Sequence, residues 1–313
     1  SAERKRRRMT VDFRRIKIIF IITFAALNIY LLSVLLEKNA TTLSFGSEST
    51  TLNIEEAMKA DDIEFPTLST DQEKIPLLKT DKGVTLETDQ SKLVNQTTVF
   101  EDGVLFSTLS EPIPLEIDAE ELAIVDRTPI TDFILQGNVL NGAEYSFLTY
   151  LPLRRQLVYA QVANNIPIGD STGSITFNLD PDYEVISYEQ TFAGEAEVQG
   201  NSRTVISQKR AVEALYLNNQ IPANSTVRAV QLTYYRTLSL SDMDIYSPMW
   251  YIEIEIENAP VEIRRVDALT GSIITTSSVS LPSAEAQIQA KTATSSALLL
   301  EEEDSSETDN AVD

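Results

Sequence analysis

The longest hydrophobic segment of the chain lies near its N-terminus. Residues 18–36, IIFIITFAALNIYLLSVLL, contain no charged side chain. As an α-helix this segment would be about 28 Å long, which nearly matches the hydrocarbon core of a bilayer. The pattern therefore predicts a single N-terminal transmembrane helix.

A different pattern, the alternation of apolar and polar positions, predicts a β-strand in WYIEIEIE, residues 250–257. Successive side chains of a strand point to opposite faces of its sheet. We expect one face to lie in the core and the other to face water: Trp250, Ile252, Ile254 and Ile256 inside, and Tyr251, Glu253, Glu255 and Glu257 outside.

Further segments rich in β-branched and aromatic residues are bounded by turn residues and predict more strands. They cover residues 144–152, 156–163, 174–180, 183–192, 226–238 and 261–274, with extended segments expected at KIPLLKT (74–80) and GVTLET (83–88).

Three segments instead have helical signals. The first, in residues 52–69, begins after Asn53 as a plausible N-cap and cannot continue past Pro66. The second, residues 128–136, has Pro129 in its first turn. The third, residues 207–219, is capped by Ser207 and places four apolar residues on one face: Ala211, Val212, Leu215 and Tyr216. Helices laid on antiparallel strands predict an α+β ectodomain.

Charge is distributed unevenly along the chain. Residues 1–17 carry +6, and residues 18–36 carry none. Since the whole chain carries −22, the remainder carries −28. The positive-inside rule then predicts a cytoplasmic N-terminus and an exported C-terminal part in the cell membrane. A cleaved signal peptide is the alternative, but it would have a shorter apolar region followed by small residues.

These patterns divide the chain into five parts. We expect a basic cytoplasmic head (1–17), a transmembrane helix (18–36), an N-terminal half of the ectodomain (37–181), a C-terminal helix-on-sheet unit (182–280) and an acidic, disordered tail (281–313).

Composition excludes many kinds of chemistry. The chain has no cysteine and no histidine, which removes thiol and imidazole catalysis and the corresponding metal ligands. Asp242 and Asp244 could offer oxygens to a cation, but we interpret them as exposed turn carboxylates. The Asp170–Gly173 loop lacks the glycine two places after the aspartate that aspartic proteases need. We therefore expect no enzyme activity, no cofactor and no metal, and the acidic balance argues against nucleic acid.

Two segments resemble known families. The wording of the N-terminal helix, with FIITF at 20–24 and LNIYLL at 27–32, resembles the start of YycI (WalI) proteins, and the helix-then-strands segment from residue 52 is similar to their ectodomain. VDALTG, residues 266–271, looks like the ending of PepSY-type modules, which are built as a helix on a sheet.

The resemblance to YycI implies an accessory regulator of the essential WalK/YycG sensor histidine kinase of low-GC Gram-positive bacteria. It implies association with that kinase and with a YycH-like companion, and an ectodomain of PepSY/YycH-like helix-on-antiparallel-sheet units. It leaves open whether the regulator activates or inhibits the kinase.

Asn28 lies near the centre of the predicted membrane helix, where an unpartnered amide is costly. It shares one helical face with five apolar residues, and we predict that this face contacts other membrane helices: Ile21, Phe24, Ala25, Asn28, Leu32 and Leu35. The alternative is a tolerated asparagine that bonds its own backbone, or a helix that is a passive anchor.

Two other functional classes remain open. One is a tethered exported enzyme, which the missing nucleophiles and phosphate loops disfavour. The other is an anchored ligand-binding or inhibitory module of PepSY type that has no contact with a kinase.

Overall fold

The computed structural model describes residues 17, 20–31, 53–83, 86–118 and 123–274. Apart from Lys17, the expected basic head therefore lies outside the described residues, as do the acidic tail, Leu32 and Leu35. Residues 20–31 are helical, and the rest of the predicted membrane helix, residues 18–19 and 32–36, is not described. Within the described ranges, no helix combines the length and the hydropathy needed to cross a bilayer.

The ectodomain is an α+β structure that consists mostly of sheet. Its helices are α1 (Ile54–Ala60), α2 (Thr128–Phe133) and α3 (Gln208–Leu217). Its strands are β1 (Ile63–Glu64), β2 (Lys74–Asp81), β3 (Gln96–Glu101), β4 (Val104–Pro114), β5 (Ile117–Asp118), β6 (Ala123–Ile124), β7 (Tyr145–Leu151), β8 (Gln156–Ala163), β9 (Ile166–Pro167), β10 (Ser174–Leu179), β11 (Glu184–Gln190), β12 (Ala196–Thr204), β13 (Ser225–Ser239), β14 (Met243–Ile256), β15 (Glu262–Asp267) and β16 (Ile273–Ile274).

Fourteen of the strands form two seven-stranded sheets, and β5 and β6 pair as a separate two-stranded sheet. Sheet 1 has the order β1-β13-β14-β15-β16, with β2 pairing both β14 and β12. Sheet 2 has the order β3-β4-β11-β10-β8-β7, with β9 pairing β8. Residues from both ends of the ectodomain therefore build sheet 1, while the middle of the chain builds sheet 2.

The core of sheet 1 lies between that sheet and helices α1 and α3. Met58, Val212 and Leu215 from the helices pack with Ile252 and Ile254 from β14. All five side chains are almost completely removed from water. Burial of each contributes about 1.5–3 kcal/mol, so this apolar face supplies much of the stability of the unit.

The core of sheet 2 is aromatic and lies on the side covered by α2. Phe177 contacts Tyr159 and Tyr188 with ring centroids 5.7 and 5.6 Å apart. Ile130 from α2 is fully buried in the same cluster. The opposite face of sheet 2 packs on sheet 1, where Leu148 and Ala160 contact Tyr251.

Helix α3 forms as its sequence predicts. The Ser207 hydroxyl accepts a hydrogen bond from the Arg210 N–H at 3.3 Å, which confirms the cap. The predicted apolar face is confirmed as well, with Ala211, Val212 and Leu215 buried. Asn53 precedes α1, but its side chain makes no capping hydrogen bond, so that part of the prediction is wrong.

The turn after β15 explains the VDALTG sequence. The Asp267 carboxylate accepts hydrogen bonds from the Leu269 and Thr270 N–H groups, at 2.7 and 2.9 Å. Gly271 has φ of 77°, a left-handed conformation that other residues adopt at a cost.

Two expectations for local structure are corrected. Glu87 begins a short 3₁₀ helix, Glu87–Lys92, where the sequence predicted an extended segment. There, Asp89 and Lys92 form an ion pair at 2.9 Å along the helix surface. The strand within residues 183–192 forms as predicted, but it belongs to sheet 2, where it pairs with β4 and β10.

The capped helix provides a first test of these energetics. We expect Ser207→Ala to lower the free energy of unfolding by about 1 kcal/mol, because the Arg210 N–H loses its acceptor. Urea unfolding of the full chain in detergent, followed by the fluorescence of Trp250, measures the loss. Ser202→Ala, on exposed β12, is the matched control. Equal stabilities of the two variants would contradict the role of the cap.

Candidate functional site at the junction of the two sheets

Strand β14 is buried on both faces. Trp250, Ile252 and Ile254 face the helices, as predicted. The prediction that Tyr251 and Glu253 face water is wrong, since they are 4% and 2% exposed. Sheet 2 covers this face of the strand. The sequence of the strand itself does not indicate that another sheet packs on it.

Arg228 neutralises the buried Glu253. Its Nε donates to Glu253 Oε2 at 3.2 Å, and its Nη2 donates to the Tyr150 carbonyl of β7 at 2.8 Å. The side chain thus links sheet 1 to sheet 2. Burial raises the pKa of Glu253, while the Thr149 hydroxyl and Arg228 oppose the rise.

Two β-bulges meet at this link. In β13 the pairing with β14 shifts between Val227 and Ala229, which leaves Arg228 as the extra residue. In β7 the pairing with β8 shifts between Phe147 and Thr149, which leaves Leu148 as the extra residue. Bulges redirect side chains and are frequent beside functional sites. Here they turn Arg228 and Leu148 towards the junction.

A cavity of about 430 Å³ opens between the bulges, and we call it the Glu253 cavity. Arg127, Phe147 and Thr149 line it from the side of sheet 2. Arg228, Glu253 and Glu255 line it from sheet 1. Its volume lies within the range of small-molecule sites, and its walls carry both signs of charge.

A second ionic cluster surrounds Asp244, which is 5% exposed. Lys82 Nζ lies 3.1 Å from its Oδ1, and Arg236 Nη1 lies 3.2 Å from its Oδ2. Burial opposes ionisation of Asp244, but bonds from Ser239, Lys82 and Arg236 outweigh it and lower the pKa. The interpretation of Asp244 as an exposed turn carboxylate is wrong, because β2 places Lys82 beside it.

The segment before β10 joins this cluster to sheet 2. Asp170 Oδ2 accepts a hydrogen bond from the Arg236 N–H at 2.7 Å. The Thr172 hydroxyl lies 2.9 Å from the Tyr246 hydroxyl, and burial raises the pKa of Tyr246 to about 12. Thr172, Arg236 and Tyr246 border a cavity of about 280 Å³. The Asp170–Gly173 loop is therefore part of the junction between the sheets.

A third arginine completes the junction. Arg265 of β15 donates from Nη2 to the Gly169 carbonyl at 3.0 Å. Its guanidinium carbon lies 5.6 and 5.5 Å from the ring centres of Tyr235 and Tyr251. A Cβ on Gly169 would lie 2.9 Å from the Thr233 side chain, so only glycine allows this close approach.

The arrangement is suited to holding two sheets together and to binding charged groups. Among the described residues, no group of three or more aspartates and glutamates is placed to hold a metal ion. The ion pairs of the junction lie within sheet 1. Hydrogen bonds from Arg228, Arg236 and Arg265 connect that sheet to β7 and to the segment before β10. The sequence gives no local signal for this site, because its partners are far apart in the chain; Arg228 and Tyr150 are 78 residues apart.

The predicted transmembrane contact face lies apart from this junction in the sequence. Ile21, Phe24, Ala25 and Asn28 all fall in the described helical residues and are exposed. The Asn28 side-chain N–H donates to the Phe24 carbonyl at 2.9 Å, so its amide bonds its own backbone. This is the local bond that the alternative interpretation of Asn28 requires.

The Arg228 link makes a prediction about stability. Arg228→Met leaves the buried Glu253 carboxylate without a counter-charge and should lower the free energy of unfolding by roughly 3 kcal/mol near neutral pH. The raised pKa of Glu253 means that the folded state gains stability as pH falls, so the loss should shrink towards pH 4.5. Urea unfolding of the full chain at several pH values measures both effects.

A second substitution separates charge from packing. Glu253→Gln on the Arg228→Met background removes the unpaired charge and should recover most of the lost stability. Strictly additive losses in the double variant would contradict the pairing.

The contribution of Asp244 to stability should depend on pH in the opposite direction to that of Glu253. Its pKa is lowered from 3.8, so its contribution is present above that pH and is lost as pH falls through the folded-state value. Asp244→Asn should cost about 2 kcal/mol at neutral pH and should flatten the acid side of the stability curve. Asp242→Asn, at an exposed site two residues away, is the control and should leave that side of the curve unchanged.

Comparisons with known proteins place this fold in context. The family model of the YycI protein matches residues 44–269. No curated protein matches the chain. A crystal structure of an uncharacterized protein from Eubacterium rectale ATCC 33656 is similar at 11% sequence identity, covering 71% of this chain and 99% of that chain with a TM-score of 0.37.

The crystal structure is too distant to carry a conclusion. The family match, in contrast, spans most of the chain and contains every strand from β1 to β15. The chain therefore belongs to the YycI family, whose members are regulatory proteins of a two-component sensor kinase.

Proposed function

We propose that the protein is a membrane-anchored accessory regulator of the WalK/YycG sensor histidine kinase that acts together with a YycH-like partner. Residues 18–36 cross the cell membrane, the N-terminus lies in the cytoplasm and the ectodomain lies outside. The observation that carries this proposal is the match of the YycI family to residues 44–269.

The charge pattern supports the membrane placement. A +6 segment precedes an uncharged run of 19 residues, and a −28 segment follows it. Positive charge on the cytoplasmic side of the first apolar segment sets the orientation of most single-span proteins. The ectodomain would then meet its partners outside the cell.

Regulation through a membrane helix needs a modest difference in binding energy. A helix that binds one signalling state of the kinase about 1–3 kcal/mol better than the other changes the populations of those states 5- to 150-fold. No catalytic group is required for such an effect. The sign of regulation follows from which kinase state the helix prefers.

The Asn28 side chain can still accept a hydrogen bond in such a contact. One side-chain N–H is used by the Phe24 carbonyl, and the Oδ1 atom has no partner among the described residues. An amide oxygen in hydrocarbon gains from a donor on a neighbouring helix. We propose a contact face formed by Ile21, Phe24, Ala25, Asn28, Leu32 and Leu35.

A membrane crosslinking pull-down from the native host tests this proposal. Wild type should recover a sensor kinase and a second single-span protein. Asn28→Leu should weaken both recoveries by about threefold to tenfold, since one interhelical hydrogen bond is lost. Ser33→Leu, which also replaces a polar residue but lies off the face, is the matched control and should recover both partners.

Recovery of neither partner with wild type would overturn the regulatory proposal. The alternative of an anchored ligand-binding module without kinase contact would then describe the protein better. Equal weakening by Ser33→Leu would instead overturn the contact face, because the effect would not depend on the position of the polar group.

A further inference from the structure

We infer that the Glu253 cavity binds a small zwitterion, an amino acid or a short peptide, whose carboxylate is held by Arg127 and Arg228 and whose ammonium lies beside Glu255. This inference goes beyond the regulatory role and does not depend on it. Four features of the cavity support it: its construction, its unpaired donors, its acidic rim and the charge of the ectodomain.

The construction of the cavity indicates a site rather than a packing fault. Its volume of about 430 Å³ would hold a molecule of this size. Both sheets depart from regular pairing at its walls, with one bulge in β13 and one in β7. Charged and aromatic side chains line it, whereas a packing fault inside a protein would be walled by apolar atoms.

Two guanidinium groups offer free donors to the cavity. Arg127 lies over the Phe147 ring, with the central carbon of its guanidinium 4.0 Å from the ring centre. Within the described ranges, no carboxylate is within ion-pair distance of Arg127. Arg228 uses Nε and Nη2 for Glu253, Thr149 and Tyr150, and its Nη1 has no acceptor in the same part of the chain.

Such a pair suits a carboxylate. The planar guanidinium presents parallel N–H groups that match the two oxygens of a carboxylate, and hydrogen bonds between charged partners are the strong ones. The cation–π contact with Phe147 restrains the Arg127 side chain, which reduces the entropy that binding would cost. Glu253 and Arg228 neutralise each other, so the net positive charge that attracts the carboxylate is that of Arg127, and Arg228 contributes the donor at its Nη1.

The acidic side of the cavity selects a ligand that also carries positive charge. Glu255 lines the cavity, is exposed to water, and has no cation within ion-pair distance among the described residues. The part of the chain after residue 36 carries −28 in total, so it repels simple anions. A zwitterion has no net charge to repel, and its ammonium can pair with Glu255.

Three probes of nearly equal size separate these contributions: L-alanyl-L-alanine, its N-acetyl derivative, which lacks the ammonium, and its C-terminal amide, which lacks the carboxylate. Each is titrated into the full chain in detergent, and binding is followed by calorimetry and by the shift in melting temperature. Free L-alanine is titrated as a shorter zwitterion.

We expect the dipeptide to bind in a saturable way and to raise the melting temperature, because it bridges two sheets of the folded state. Each blocked derivative should bind roughly tenfold more weakly or worse, since one charged hydrogen-bonded contact is lost. Arg127→Gln should remove the preference for the free dipeptide over its amide. Glu255→Gln should remove the preference over the N-acetyl form.

Arg154→Gln and Glu257→Gln are the matched controls, because both residues are exposed and neither lines the cavity. They should keep both preferences. The inference is wrong if neither the dipeptide nor alanine binds in a saturable way at millimolar concentration. It is equally wrong if all three dipeptide forms bind alike, or if binding survives unchanged in both cavity variants.

Discussion

Burial of β14 on both faces is the constraint on which the rest of the structure depends. Helices α1 and α3 cover one face, and sheet 2 covers the other. A polar group on such a strand must find a partner within the protein, because water no longer reaches it. Glu253 forms an ion pair with Arg228, and Asp244 forms ion pairs with Lys82 and Arg236. The charged pairs of the junction follow from where the strand lies.

The two faces of sheet 1 are held by different forces. The helix side is a broad apolar core, whose attraction is not directional. The side towards sheet 2 has a small apolar cluster of Leu148, Ala160 and Tyr251, supplemented by bonds from Arg228, Arg236 and Arg265. Buried ion pairs add little net stability but are costly to break. The ion pairs lie within sheet 1, so the hydrogen bonds from the three arginines to β7 and to the segment before β10 specify how the sheets are placed.

This placement matters for a regulator. The Glu253 cavity lies between the sheets, so a molecule bound there contacts residues of both and favours the arrangement that fits it. Any other interaction that prefers the same arrangement is then strengthened by an equal factor, since coupling between sites is reciprocal. An ectodomain whose two sheets are joined by hydrogen bonds from arginines thus offers a physical route from a ligand outside the cell to a change in association, without any catalytic step.

The sequence by itself determined the local elements and the family. Alternation in β14 predicted its strand and its helix-facing side, Ser207 predicted the start of α3, and the wording of the N-terminal segment predicted YycI. These are short-range signals carried by neighbouring residues. Only the tertiary structure decided that β2 joins β14 and that the strand Glu184–Gln190 joins sheet 2. It also decided that Tyr251, Glu253 and Asp244 are buried, because the residues that pack over them come from distant segments. The alternation of apolar and polar residues identifies a strand and its apolar face, but it does not show what packs against the other face.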